Sequence, residues 1–108
     1  MEITRKHKTF GELLRSLREE SRQTLKTVSE QINIDTSLLA KIERNERQPT
    51  KQIIKEVAKY FKVDEKELQF EFLSDQIAYK IFDEEADLDI FRVAEEKVLY
   101  LKTIQNGK

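Results

Sequence analysis

Cysteine and tryptophan are absent from the 108 residues, and there are one histidine, one proline and two glycines. The lack of cysteine rules out a disulfide framework and fits an intracellular protein. So little glycine and proline excludes the turn-rich β architectures and leaves no glycine-rich phosphate loop. With His7 alone, neither a histidine metal cluster nor a Ser-His-Asp triad can be assembled. No stretch approaches the ~18 uninterrupted apolar residues of a membrane span, and the opening MEITRKHKTF has no apolar signal-peptide core. The expectation is a cytoplasmic, mostly helical protein with no membrane association, no metal, no cofactor and no evident small-molecule ligand.

What is present is charge, divided unevenly. Residues 1–62 hold 14 Lys/Arg and 9 Asp/Glu, net +5, whereas residues 63–108 hold 6 and 12, net −6. The first half can meet a polyanion while the second faces solvent or another protein.

Helical periodicity orders the chain. Residues 1–8, with Arg5, Lys6, His7 and Lys8, read as a flexible basic arm. Phe10, Leu13, Leu14 and Leu17 predict a first helix to Glu20, with Thr9 as N-cap and Glu12 completing a capping box. Thr24 caps a second helix with Leu25, Val28 and Ile32 inward, stopped by Asn33. Asp35 caps a third that runs to about Arg44, so the second and third are joined by a helix-turn-helix connection. In the stretch NERQPT that follows, Pro49 biases Gln48 to extended geometry and so ends the preceding element. Thr50 caps a fourth helix, carrying Ile53, Ile54, Val57, Ala58 and Phe61, and Asp64 caps a fifth around Leu68. Two amphipathic helices follow. The first carries Phe72, Leu73, Ile77, Ile81 and Phe82; the second carries Ile90, Ala94, Val98, Leu101 and Ile104.

The third helix has the two faces that groove reading requires. Leu39 and Ile42 point inward, and Thr36, Ser37, Ala40, Lys41 and Arg44 fall on the other side. Thr36 and Ser37 lie in its first turn, where backbone N–H groups favour phosphates. Thr24 and Lys26 open the second helix in the same way, and Arg44, Arg47 and Lys51 form a cationic string just beyond the third. Such cations position a protein on a duplex without reading its sequence.

The stretches LLRSLREE, TLKTVSEQINID, SLLAKIERNERQP and KYFKVDEKEL, within Phe10 to Leu68, resemble the helix-turn-helix domain of the phage-repressor (Cro/Xre-type) transcriptional regulators. The resemblance covers a little over half the chain. It implies an all-α fold with a five-helix DNA-binding domain over 9–70; the two amphipathic helices beyond it read as a C-terminal helical dimerisation segment over 71–108. It also implies that Arg18 pairs with Glu43, tying the first helix to the recognition helix. Thr36, Ser37 and Lys41 would contact bases, with Ala40 against a thymine methyl; Thr24, Lys26, Arg44 and Arg47 would contact phosphates. Arg22, Asn33 and Asn45 stand where the family commonly has glycine, and Ser29 where it has alanine. Asparagine tolerates the left-handed backbone. Arg22 has no such tolerance and points to a different geometry in the turn between the first two helices.

The acidic run Asp83, Glu84, Glu85, Asp87 and Asp89 lacks the glycine and distal glutamate of a calcium loop, and reads as solvated charge beside a helix N-terminus. No constellation suggests an enzyme. The stripe Ile90, Ala94, Val98 and Leu101 fits packing against Leu73, Ile77 and Ile81, a seam between two copies, or both. The function expected is a sequence-specific regulator of bacterial or phage origin. It would act as a homodimeric repressor of a palindromic double-stranded DNA operator. The alternative is a protein-interaction module, an antitoxin or adaptor, that grips a partner through its acidic C-terminal helices.

Overall fold

A computed structural model describes residues 9–106; the basic arm expected over 1–8 lies outside them. Six helices follow in order: α1 Phe10–Glu20, α2 Leu25–Gln31, α3 Thr36–Glu43, α4 Lys51–Phe61, α5 Glu65–Asp83 and α6 Ile90–Asn106. No strand occurs among the described residues. The sequence separates a fifth helix ending near Phe70 from a sixth over Phe72–Phe82, and the chain instead runs through both as α5. Residues 65–83 contain no glycine or proline, so nothing there interrupts helical hydrogen bonding.

Threonine hydroxyls start three of the helices. Thr9, Thr24 and Thr50 accept from the backbone N–H of Glu12, Thr27 and Ile53, and Glu12 returns its carboxylate to the Thr9 N–H at 3.1 Å. Asp35 holds the extended backbone of an N-cap, but its side chain makes no capping bond.

The helices from α1 to α5 all end in the same way, and none uses glycine. Arg22, Asn33, Asn45, Lys62 and Glu85 each take a positive φ between 50° and 61°. The next residue's N–H then reaches back to a carbonyl five residues earlier: Gln23 to Arg18, Ile34 to Ser29, Glu46 to Lys41, Val63 to Ala58 and Ala86 to Ile81, at 2.9–3.1 Å. This is the Schellman closure. The different turn expected from Arg22 is therefore not what forms. Arg22 adopts the left-handed conformation itself, and the bonds of the closure hold it there. Its guanidinium offers no local compensation of the kind an asparagine side chain gives.

The core of the N-terminal unit, which ends at Asp75, joins Leu13, Leu14 and Leu17 of α1 to Val28, Leu39, Ile42, Ile54, Val57, Phe61 and Leu68. It takes in more of α5 than Leu68. Phe72 packs edge-on against Phe10 with ring centroids 5.7 Å apart, and Asp75 accepts from the Phe10 N–H at 2.6 Å. Burial pushes the Asp75 carboxyl above its ordinary pKa, opposed by that N–H. The second unit runs from Gln76 through α6. There Ile77 and Ile81 line a groove of about 430 Å³ with Ile90, Phe91 and Ala94. No residue of α6 is buried. No helix among the described residues is long and apolar enough to cross a membrane.

The glycine-free closures generate a prediction. Arg22→Gly should raise stability by about 0.5–1 kcal/mol, because glycine adopts this φ without steric penalty. Asn33→Gly should change it much less. Urea unfolding of the two variants measures the difference.

Candidate nucleic-acid interface

α3 is held from two sides and left open on the third. Leu39, Ile42 and Glu43 are buried against the domain; Thr36, Ser37 and Lys41 are exposed, and Ala40 is half-buried between the two faces. The outward face is therefore short, polar and cationic.

The attachment to α1 depends on Gly11 and on a buried ion pair. A Cβ at Gly11 would lie 2.5–2.6 Å from the backbone oxygens of Ile42 and Glu43 and from Oδ1 of Asn45. Only a residue without a side chain lets α1 come this close to the end of α3. The Gly11 N–H donates to Asn45 Oδ1 at 3.1 Å, and Asn45 Nδ2 donates to Thr9 Oγ1 at 2.8 Å. Asn45 thus closes α3 with its backbone and fastens it to the start of α1 with its side chain. Two turns further along α1, Arg18 grips Glu43 with two bonds, Nε to Oε2 at 2.7 Å and Nη2 to Oε1 at 3.0 Å, and a third goes from Nη1 to the Gln23 carbonyl at 3.0 Å. The side chains are only 13% and 5% exposed, so the pair sits in a low-dielectric setting. The Glu43 hydrogen bond raises the Arg18 pKa against the opposing effect of burial. Ser21, Gln23 and Tyr60 continue the network: Tyr60 Oη donates to Gln23 Oε1, Gln23 Nε2 to Ser21 Oγ, and Ser21 Oγ to the Arg18 carbonyl.

On the α2 side, the buried Ser29 bonds to the Thr36 hydroxyl at 2.8 Å. Thr36, expected among the base readers, is exposed yet has its oxygen engaged within the domain. Thr24 is similarly committed, because its hydroxyl caps α2 and also donates to Thr27 Oγ1. Any phosphate contact there falls to the helix N-terminus that Thr24 caps. Lys26, Lys41, Arg47 and Lys51 are exposed and form no ion pair with another described residue. Arg44 differs. Its guanidinium binds Glu46 at 2.7 and 3.2 Å, which raises the Arg44 pKa and holds the Glu46 carboxyl below its ordinary value; Lys41 adds to the latter. One cation of the string is thus neutralised by its neighbour in the free protein.

Sequence reasoning missed Gly11, the Asn45 side chain and the Ser29–Thr36 bond. Each depends on a partner distant in sequence or on another helix, so no local pattern marks it. It also missed part of α6: Phe91, Leu99 and Tyr100 are as exposed as Ile90, Val98 and Leu101. No cluster of His, Cys, Asp and Glu among the described residues could hold a metal ion.

A family model described as a helix-turn-helix domain matches residues 11–69. No curated protein and no solved structure gives a significant match.

Glu43→Gln should destabilise the fold by about 3 kcal/mol, because it strands a guanidinium in a poorly hydrated site; combining Arg18→Met with Glu43→Leu should recover most of that loss. Urea unfolding is the check, and a double variant no more stable than the single one would contradict it. Glu46→Gln should free Arg44, tighten binding to all duplexes alike and steepen the salt dependence of log K by about 0.9. Titrations over a range of salt concentrations measure that slope.

Proposed function

Because the chain belongs to the helix-turn-helix domain family, of the Xre/Cro-like type, we propose that it is a sequence-specific DNA-binding transcriptional regulator, a cytoplasmic homodimer that represses from a palindromic operator. α3 enters the major groove. Ser37, Ala40 and Lys41 meet base edges together with Thr36, and Lys41 suits guanine O6 and N7. Lys26, Arg44, Arg47, Lys51 and the α2 N-terminus at Thr24 hold phosphates on either side. The observation that carries this reading is the orientation of α3. Gly11 and the Arg18–Glu43 pair fix one face inward, and the face left outward has groove-sized polar residues beside unpaired cations.

The second unit supports the dimer. Ile90, Val98 and Leu101 are 45–61% exposed and Ala94 lies exposed among them, an apolar surface beyond the scattered residues usual on a monomer. Pairing two copies through this face of α6 buries it and sets two recognition helices on one duplex. The acidic balance of residues 63–108 keeps that segment away from phosphates.

Binding-site selection from random duplexes with the full chain tests the reading. The expected site is a palindrome, occupied by two copies, with half-sites about one helical turn apart. Lys41→Ala should cost about 10-fold to 100-fold and relax one base position in each half-site. Arg47→Ala should weaken all sequences alike and reduce the salt slope by about one. Unchanged specific binding by Lys41→Ala would overturn the placement of α3 in the groove.

A further inference from the structure

The Ser29–Thr36 bond has a proton balance that fixes what Thr36 can offer a base. Ser29 Oγ lies 3.0 Å from the Lys26 carbonyl and 2.8 Å from Thr36 Oγ1. A hydroxyl has one proton, and a carbonyl can only accept. With the Ser29 proton on the Lys26 carbonyl, the bond to Thr36 carries the proton of Thr36. Thr36 Oγ1 then has no hydrogen left for a base acceptor such as guanine O6, guanine or adenine N7, or thymine O4; its lone pairs can still accept, from adenine N6 or cytosine N4, but Ser29 holds the oxygen on the α2 side.

The bond also settles orientation. Ser29 is fully buried, so the Thr36 oxygen is drawn towards α2 while the residue as a whole stays exposed in the first turn of α3. Threonine is stiff about χ1. With one branch of a tetrahedral Cβ held against α2, the methyl branch is turned away from it.

We propose that Ser29 is a positioning residue for sequence reading: by holding the Thr36 hydroxyl it makes Thr36 an apolar reader, whose methyl meets the C5-methyl of a thymine. The inference rests on the groove placement of α3 and deepens it, because it assigns a base and a contact chemistry to one position. It also gives the buried Ser29 hydroxyl a part in specificity.

The test uses the duplex selected by the full wild-type chain, with deoxyuridine replacing each thymidine in turn. Uracil pairs as thymine does and lacks only the C5-methyl. Wild type should show one thymine per half-site at which the replacement weakens binding about four-fold, the worth of one buried methyl. Thr36→Val keeps a methyl and should keep that sensitivity. Thr36→Ser keeps the bond to Ser29, loses the methyl and should abolish it. Ser29→Ala frees the Thr36 hydroxyl; it should reduce the penalty below two-fold and admit a second base at that position, with the rest of the site read as before. That last readout is one that simple loss of stability would not move. A methyl penalty unaffected by Ser29→Ala, or equal in Thr36→Ser and wild type, overturns the inference and leaves the groove placement standing. A chain that selects no sequence overturns both.

Discussion

The approach of α1 to the end of α3 is the constraint from which the rest of the N-terminal unit follows. A helix of eight residues has too few hydrogen bonds to persist alone, and its outward face can hold no apolar anchor if it is to fit a hydrated groove. Its position must come from its inner face and its two ends. The absent side chain at Gly11 permits the close approach, Asn45 ties the C-terminal end to Thr9 and Gly11, and Arg18 clamps Glu43 from two turns further along α1. The buried carboxylate is better understood as a register device than as a source of stability. An apolar pair would leave no charges to desolvate but would not specify one rotation of α3 about its axis.

The same economy runs through the chain ends of the helices. Five left-handed closures formed without glycine mean that the turns are imposed by backbone hydrogen bonding and core packing, with local preference contributing only at Asn33 and Asn45. Keeping side chains at these positions has a use at Asn45, whose amide reaches α1. Nothing in the structure explains the arginine at 22.

Much of this was legible in the residues. Threonine caps are local, needing only a hydroxyl and a free N–H within one turn, and Thr9, Thr24 and Thr50 could be read directly. The inward faces followed from periodicity for the same reason. The long α5 was not legible. An amphipathic pattern that changes face reads as two helices, although the stretch contains no residue that stops one. Gly11 was invisible because a glycine inside a helix usually weakens it, and its value here lies in two backbone oxygens more than thirty residues away. Arg44 looked like a free cation until its fold placed Glu46 against it, and Thr36 looked like a hydrogen-bonding reader until Ser29 was seen to hold its oxygen. In the second unit, spacing marks one stripe, and Leu99 and Tyr100 show that the exposed apolar surface of α6 is wider than that stripe.

The account stands on α3 lying in the major groove with its inner face fixed by α1. Chemical interference on the selected duplex tests this most directly, because methylation of guanine N7 projects into the major groove and methylation of adenine N3 into the minor. The account predicts that N7 methylation blocks binding in two clusters whose centres are about one helical turn apart on one face of the duplex. Interference confined to adenine N3, or none at any guanine N7, would contradict it.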